Sequence, residues 1–280
     1  MRWAEITIEA ETNAQEAVSQ ALEAAGCNGV ALQSGSVTGY LPTDDRLEGR
    51  LDGLQTALAQ MPSFGFADIT TDLTLRYVEE ADWANAWKAF YKPIHLGRHL
   101  VVTPPWETPE LGPSDIPIVL DPGMAFGTGS HPTTQLCLTA LEDYVQKGQS
   151  VADVGTGSGI LAIAAAKLGA SPIIANDIDP LAVKIAIENA DINGVSIEFG
   201  EAFPLGQYQL VVANILADVI IGFAEAFQAI VKPGGILIVS GIIDTRESDV
   251  RFAVEACDFA PLETRRQAEW VALIFRRNAA

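Results

Sequence analysis

The sequence predicts an α/β fold: a doubly wound, mainly parallel sheet with an antiparallel last strand, preceded by a smaller α+β domain. Three observations carry this. Residues 151–154 form a short, mostly apolar run, Gly155, Gly157 and Gly159 follow it, and apolar positions then recur at helical spacing to Gly169. That is a strand, a tight turn and a helix, with backbone bare enough for a ligand to lie against it. Downstream, β-branched runs and helical segments alternate as far as residue 256, the pattern of βα units over a parallel sheet. Two strand-like runs, 262–267 and 270–276, are separated by only two residues, so the chain closes in a hairpin.

Taken in order, residues 2–9 alternate as a strand. Thr12 or Asn13 can cap a helix over 14–25, closed by Gly26. Residues 29–33 read as a strand, 35–45 as a loop holding a short strand, and 50–60 as a helix with Leu51, Leu54 and Leu58 on one face. The segment 61–65, with Pro62 and Gly65, breaks it, and 69–78 alternates again. The order β-α-β-(β)-α-β fits a ferredoxin-like α+β domain over residues 1–78. No nucleophile–base pair and no phosphate loop occurs in it, which leaves recognition or plain structure as its role.

Residues 79–98 read as a linker carrying an aromatic helix. Trp83, Trp87, Phe90 and Tyr91 fall at i, i+4, i+7 and i+8. The acidic surroundings favour packing over base stacking. The flanking His95 and His99 are read as structural. The larger domain, 99–280, begins with strands at 99–103 and 118–120 around a Pro-rich loop. Asp121-Pro-Gly-Met-Ala-Phe-Gly-Thr-Gly-Ser-His-Pro-Thr-Thr134 then precedes a helix over 135–147. This loop is either a connector, with Ser130 or Thr133 as helix cap, or a lid over a cofactor. No Lys-Ser/Thr pair follows its glycines, so it is not a P-loop. Beyond the glycine turn, strands are expected at 172–176, 195–199, 209–213 (ending at 214–216) and 236–240, with helices at 180–193, 217–231 and 244–256.

The 280 residues exceed the size at which single cores stop growing, in keeping with two domains. The balance of 36 acidic against 17 basic residues gives a formal net charge of −19, a field that repels a phosphate backbone and argues against direct DNA binding. Solubility alone also accounts for that charge. Cys27, Cys137 and Cys257 lie too far apart to suggest a disulfide framework or metal spacing, and His95, His99 and His131 join no such cluster; no metal is expected. No apolar run reaches membrane-spanning length and the N-terminus lacks a signal-peptide core, so a cytoplasmic protein is expected.

The glycine turn implies a nucleotide-like cofactor. Counting G-x-G-x-x-G from Gly155 puts Ile160 where the third glycine belongs, whereas Gly157-Ser-Gly159-Ile-Leu-Ala162 meets the looser form. Asp153, inside the strand, is placed to meet a cationic amino-acid tail and would repel a pyrophosphate, which favours S-adenosylmethionine over NAD. The less favoured alternative is a turn or capping acid. Asp177 closes the next strand, where it can accept ribose hydroxyls in either cofactor class. Asn214 ends a later strand, either as a group that aims a substrate amine or simply as a strand end.

With these residues in view, the sequence resembles a known family, the bacterial methyltransferases of ribosomal protein L eleven (L11). The resemblance rests on the 121–134 loop, on Asp153-Val-Gly-Thr-Gly-Ser-Gly-Ile-Leu-Ala-Ile-Ala164, on Asp177-Ile-Asp-Pro180 and on Val212-Ala-Asn-Ile-Leu216. Trp83-Ala-Asn-Ala-Trp87, Lys92-Pro93 and Glu269-Trp-Val271 add to it. It implies a class I methyltransferase (Rossmann-like) domain, with cofactor-binding positions on Thr134, Gly155, Asp177 and Asn214. Asp153, Gly157 and Gly159 complete the expected cradle, and Phe126, Gly127 and Thr128 resemble the family's lid over the methionine moiety. The implied reaction is transfer of methyl groups from S-adenosyl-L-methionine, leaving S-adenosyl-L-homocysteine, to lysine ε-amino and N-terminal α-amino groups of a basic ribosomal protein, by a monomer. Asn214 is the expected catalytic residue. The rivals are a class I methyltransferase acting on another protein, RNA or a small molecule, a non-catalytic adenosylmethionine-binding module, and an NAD-dependent oxidoreductase, for which no Tyr-x-x-x-Lys arrangement is present.

Overall fold

The computed structural model describes residues 2–11, 14–27, 30–33, 35–61, 73–79, 91–121 and 129–279. It falls into two compact units, Met1–Tyr91 and Lys92–Ala280. The expected aromatic helix around Trp83, Trp87 and Phe90 lies outside the described residues, as do the capping candidates Thr12 and Asn13.

The first unit runs β1 (Arg2–Glu9), α1 (Gln15–Ala24), β2 (Val30–Gln33), β3 (Ser36–Pro42), α2 (Leu47–Gln60) and β4 (Leu73–Glu79). Its four strands pair antiparallel in the order β2-β3-β1-β4, the ferredoxin-like arrangement. Even-numbered residues of β1 (Ala4, Ile6, Ile8) pack with Val37 and Leu41 of β3 and with Val18, Leu22, Leu54 and Leu58 of the helices. The sequence suggests mostly loop at 35–45, yet β3 is a full interior strand. Thr38, Gly39 and Tyr40 blur its alternation, and Gly39 is there because a Cβ would meet Cys27 Sγ at 3.0 Å.

The second unit opens with a small sheet of β5 (Ile94–Leu96), β6 (Leu100–Thr103) and β7 (Ile116–Val119). β5 lies inside the stretch read as linker, too short to leave a periodic signal. There follow α3 (Pro132–Tyr144), β8 (Val151–Val154), α4 (Ile160–Lys167), β9 (Ile173–Asn176), α5 (Pro180–Asn193), β10 (Glu198–Gly200) and β11 (Tyr208–Asn214). α6 (Ala217–Gly222), α7 (Ala224–Ile230), β12 (Val231–Ile243), α8 (Glu247–Glu255), β13 (Phe259–Gln267) and β14 (Trp270–Arg277) complete it.

The seven-stranded sheet has the order β10-β9-β8-β11-β12-β14-β13, with β14 alone running against its neighbours. Val151, Val212, Ile238 and Ile274 point to one face, under Leu138 and Leu141 of α3 and Ile163 of α4. Val154, Val211, Leu237 and Phe275 point to the other, with Phe227 of α7 and Val254 of α8. The chain moves outward from β8 to β10 and returns at β11, so the carboxyl ends of β8 and β11 flank the crevice where such sheets bind ligands.

Three elements differ from expectation for local reasons. The helix expected at 135–147 begins at Pro132, because the His131 side chain is its cap rather than Ser130 or Thr133. The helix expected through 217–231 is two pieces meeting at Phe223, whose ring packs edge-on against Phe203 (centroids 5.1 Å) and Phe227 (6.1 Å). The strand expected at 195–199 is Glu198–Gly200. Among the described residues, no helix is long and apolar enough to cross a membrane.

Candidate functional site

The crevice is built first by the β8–α4 turn. Gly155, Gly157 and Gly159 all have positive φ (73°, 54° and 85°), a path closed to ordinary side chains. Gly155 N and Thr156 N both donate to Asn176 O at 2.9 Å, which folds the turn onto the end of β9. A Cβ at Gly155 would overlap Ile215 Cγ2, and one at Gly159 would lie 3.1 Å from Ala186 Cβ on α5. Bare backbone is needed here for packing as well as for ligand approach.

Asp153 is fully buried beneath this turn. Its Oδ2 accepts from Thr156 Oγ1 at 2.7 Å and from Ala162 N at 3.1 Å. Because Gly159 at the N-cap has no side chain, Asp153 caps α4 from the strand below, the turn-acid role anticipated as an alternative. Its Oδ1 is buried and has no hydrogen-bond partner among the described residues. Burial pushes the Asp153 carboxyl up to about 7, against the pull of the Thr156 hydroxyl and the Ala162 N–H, and the charge of Asp177 adds to the rise.

Asp177, just past β9, accepts from Gly157 N at 2.9 Å through Oδ2 and from Asp179 N at 3.1 Å through Oδ1. Each oxygen keeps a further lone pair for a hydroxyl donor. Asp179 in turn caps α5 by accepting from Leu181 N at 2.9 Å.

The second half of the crevice is assembled from distant segments. Thr134, buried in the first turn of α3, accepts from Asn214 Nδ2 at the end of β11, at 3.2 Å. That bond leaves the Asn214 amide oxygen for another donor. Ile215 N donates to Ser240 O at 3.1 Å, tying the exit of β11 to β12. The start of α3 is fixed by His131, whose Nδ1 accepts from Thr133 N at 3.3 Å and whose ring meets Trp270 of β14 edge-on at 4.9 Å. Gln267 Nε2 donates to Gln135 Oε1 at 2.8 Å beside it. Neither His131 nor Ile215 stands out in the sequence; Ile215 matters only because Gly155 lies against it.

Phe126, Gly127 and Thr128 lie outside the described residues. The loop's far end is described: a Cβ at Gly129 would meet Val102 Cγ1 at 3.0 Å and Ile160 Cδ1 at 3.2 Å, so Gly129 sits against the first residue of α4. The structure thus gathers Asp153, Gly155, Gly157, Gly159 and Asp177 on one side and Thr134 with Asn214 on the other, with Ile215 between.

A seven-stranded sheet in this order with one reversed strand, a glycine turn after its first strand and an acid after its second is the class I methyltransferase architecture. The family described as ribosomal protein L11 methyltransferase (PrmA) matches residues 2–278, and the chain belongs to that family. A relative named ribosomal protein L11 methyltransferase from Pelotomaculum thermopropionicum is 41% identical over 312 residues, covering 100% of each chain. One from Exiguobacterium sibiricum is 39% identical over 315 residues, again covering 100% of each. The crystal structure of ribosomal protein L11 methylase from Lactobacillus delbrueckii subsp. bulgaricus superposes with a TM-score of 0.64 at 37% identity, covering 67% of this chain and 100% of that one. The protein is a methyltransferase.

Proposed function

We propose that this enzyme transfers methyl groups from S-adenosyl-L-methionine to lysine ε-amino and N-terminal α-amino groups of ribosomal protein L11. The observation that carries the reading is the end-to-end family match, with full-length relatives named for that activity.

The residues present fit the cofactor. The unpartnered Asp153 Oδ1 is a buried acceptor suited to a cationic amine, Asp177 has lone pairs for two ribose hydroxyls, and the glycines leave the turn open. S-adenosylmethionine, when bound, supplies a methyl carbon on a cationic sulfur. Methyl transfer to an amine needs a neutral nitrogen lone pair held in line with that bond, so positioning contributes most of the rate. The Asn214 amide oxygen accepts hydrogens of the substrate amine and aims its lone pair, while Thr134 fixes the amide from behind. Thr134, Asp153, Gly155, Gly157, Gly159, Asp177, Asn214 and the Phe126-Gly127-Thr128 segment form the cofactor site in this reading, without a metal.

Residues 1–78 are the substrate-recognition domain, 79–98 the linker, and 99–280 the catalytic domain. Residues 1–75 carry 11 Asp/Glu against 3 Lys/Arg, a charge suited to a basic ribosomal protein. The enzyme acts as a cytoplasmic monomer.

The deciding experiment offers labelled S-adenosylmethionine and the full-length enzyme to ribosomes from a strain lacking this methylation. Label is expected on L11 alone; label on RNA or a small molecule instead would keep the chemistry and discard the substrate. Titration calorimetry that showed NAD but not S-adenosylhomocysteine binding would discard both. Deleting residues 1–78 should abolish L11 methylation and leave cofactor affinity within about twofold, since every residue assigned to the cofactor belongs to the second unit.

A further inference from the structure

One face of α5 joins three parts of the crevice. Gly159 packs against Ala186, as its hypothetical Cβ contacts show. One turn on, Asn189 is 1% exposed; its Nδ2 donates to Ser158 O at 2.8 Å and its Oδ1 accepts from Asp121 N at 3.4 Å. A further turn on, Asn193 donates to Val119 O at 2.6 Å and accepts from Val119 N at 2.9 Å. Asn193 therefore pairs with the edge of β7 as a neighbouring strand would. Asn189 reaches the glycine turn itself, and also the exit of β7 at Asp121.

The bond to Ser158 O has a particular consequence. The Ser158–Gly159 peptide is held from both sides: its carbonyl by Asn189 and its N–H by Thr156 O at 2.9 Å. Gly159, in the left-handed region, places little steric barrier on rotation of that peptide. Asn189 turns the Ser158 oxygen inward, toward α5. A rotated peptide would aim that oxygen out of the turn and set a negative dipole where the start of α4 offers positive ones.

We propose that Asn189 is a positioning residue for this methyltransferase, one that fixes the Ser158–Gly159 peptide in its ligand-receptive orientation and so sets the affinity for the adenosyl cofactor. The inference rests on the cofactor assignment given above. It makes Asn189 and Asn193 an instructive pair: both are amides on one helix face bonded to the β7 end, Asn189 buried and Asn193 half-buried, and only Asn189 touches the turn.

The test uses the full chain, with titration calorimetry against S-adenosylhomocysteine, thermal melts, and kcat and KM for S-adenosylmethionine. Asn189→Ala is expected to weaken S-adenosylhomocysteine binding about five- to tenfold, the worth of one buried hydrogen bond, with KM rising in step and kcat within twofold. Asn193→Ala is expected to lower the melting temperature with affinity unchanged. Asn189→Asp keeps the acceptor for Asp121 N and the side-chain volume, loses the donor to Ser158 O, and should weaken binding at least as much as Asn189→Ala; it carries the test if Asn189→Ala does not fold. Wild-type affinity in Asn189→Asp, or equal loss of affinity in Asn193→Ala, would overturn the proposal. If the wild-type protein bound no S-adenosylhomocysteine, the cofactor assignment itself would fall, a different result from a wild type that binds and variants that match it.

Discussion

The two sides of the crevice are built in opposite ways. The cradle after β8 is local: Asp153, the three glycines, Asp177 and Asp179 lie within one strand–helix–strand unit, and backbone N–H groups make most of its bonds. The acceptor side joins Thr134 to Asn214, 80 residues apart, and depends on His131 and Trp270 to hold the start of α3. A local, backbone-built site tolerates surface change but not a new Cβ. A site assembled from distant side chains can lose one group and still fold. Substitutions on the two sides should therefore fail differently, the first in cofactor affinity and the second in turnover.

The largest effect is expected at Gly155. Gly155→Ala forces an L side chain into φ +73° and into Ile215 Cγ2, at a combined cost of about 2–4 kcal/mol. Cofactor affinity should fall roughly a hundredfold, the equivalent of that energy. Adding Ile215→Ala removes the overlap but not the backbone strain, so calorimetry should recover part of the loss and never all of it. Full recovery would mean that the left-handed path is not needed.

Asn214→Ala comes next and tests the other side. Turnover should drop on the order of a hundredfold, as when one preorganised polar group is removed from a transition state, with cofactor Kd within about threefold. Stopped-assay kinetics and calorimetry on the same preparation read both. A loss falling mainly in Kd would leave Asn214 as a cofactor ligand alone and remove its role in aiming the amine.

That contrast also explains what the sequence could and could not disclose. The cradle is legible because a strand carrying Asp153, glycines at alternate positions and an acid at Asp177 follow one another within one strand–helix–strand unit. The helix at Pro180–Asn193 was legible because Asp179 and Pro180 mark its start and Gly194 its end. Asn214 was legible as a polar strand end, but its bond to Thr134 was not, since only the sheet order brings α3 over β11. His131 as cap, Ile215 under Gly155, and the Asn189 link to Ser158 are tertiary facts with no periodic signature. Strand β3 is longer than the short strand legible in the sequence for a different reason: Gly39, placed for the approach of Cys27, interrupts the alternation that marks a strand.

A smaller effect separates charge from shape within the cradle. With the Asp153 carboxyl near 7 and its ordinary value 3.8, the folded protein binds more protons than the unfolded chain between those values. The ligand-free protein should then lose stability as pH rises from about 4 to about 7. Cofactor binding runs the other way, because the carboxylate is the form that accepts a cationic amine. Affinity for S-adenosylmethionine should be about tenfold weaker at pH 6 than at pH 8, and Asp153→Asn should flatten that dependence. An unchanged slope in Asp153→Asn would show that another group titrates.

The smallest effect is expected at His131, and it measures how far the acceptor side depends on its supports. His131→Ala removes the cap on α3 and the edge-on contact with Trp270, together worth about 1–2 kcal/mol. In a unit of this size that corresponds to a fall in Tm of about 3–6 °C. Thr134, in the next turn position, then holds the Asn214 amide less firmly, and kcat should fall about two- to fivefold, roughly the part of a hydrogen bond that loosening removes. Asn214→Ala in the His131→Ala background should cost less than in the wild type, since the two residues share one path to the amine. Strict additivity would mean that the start of α3 supports the fold alone and that Asn214 is oriented by the end of β11 without it.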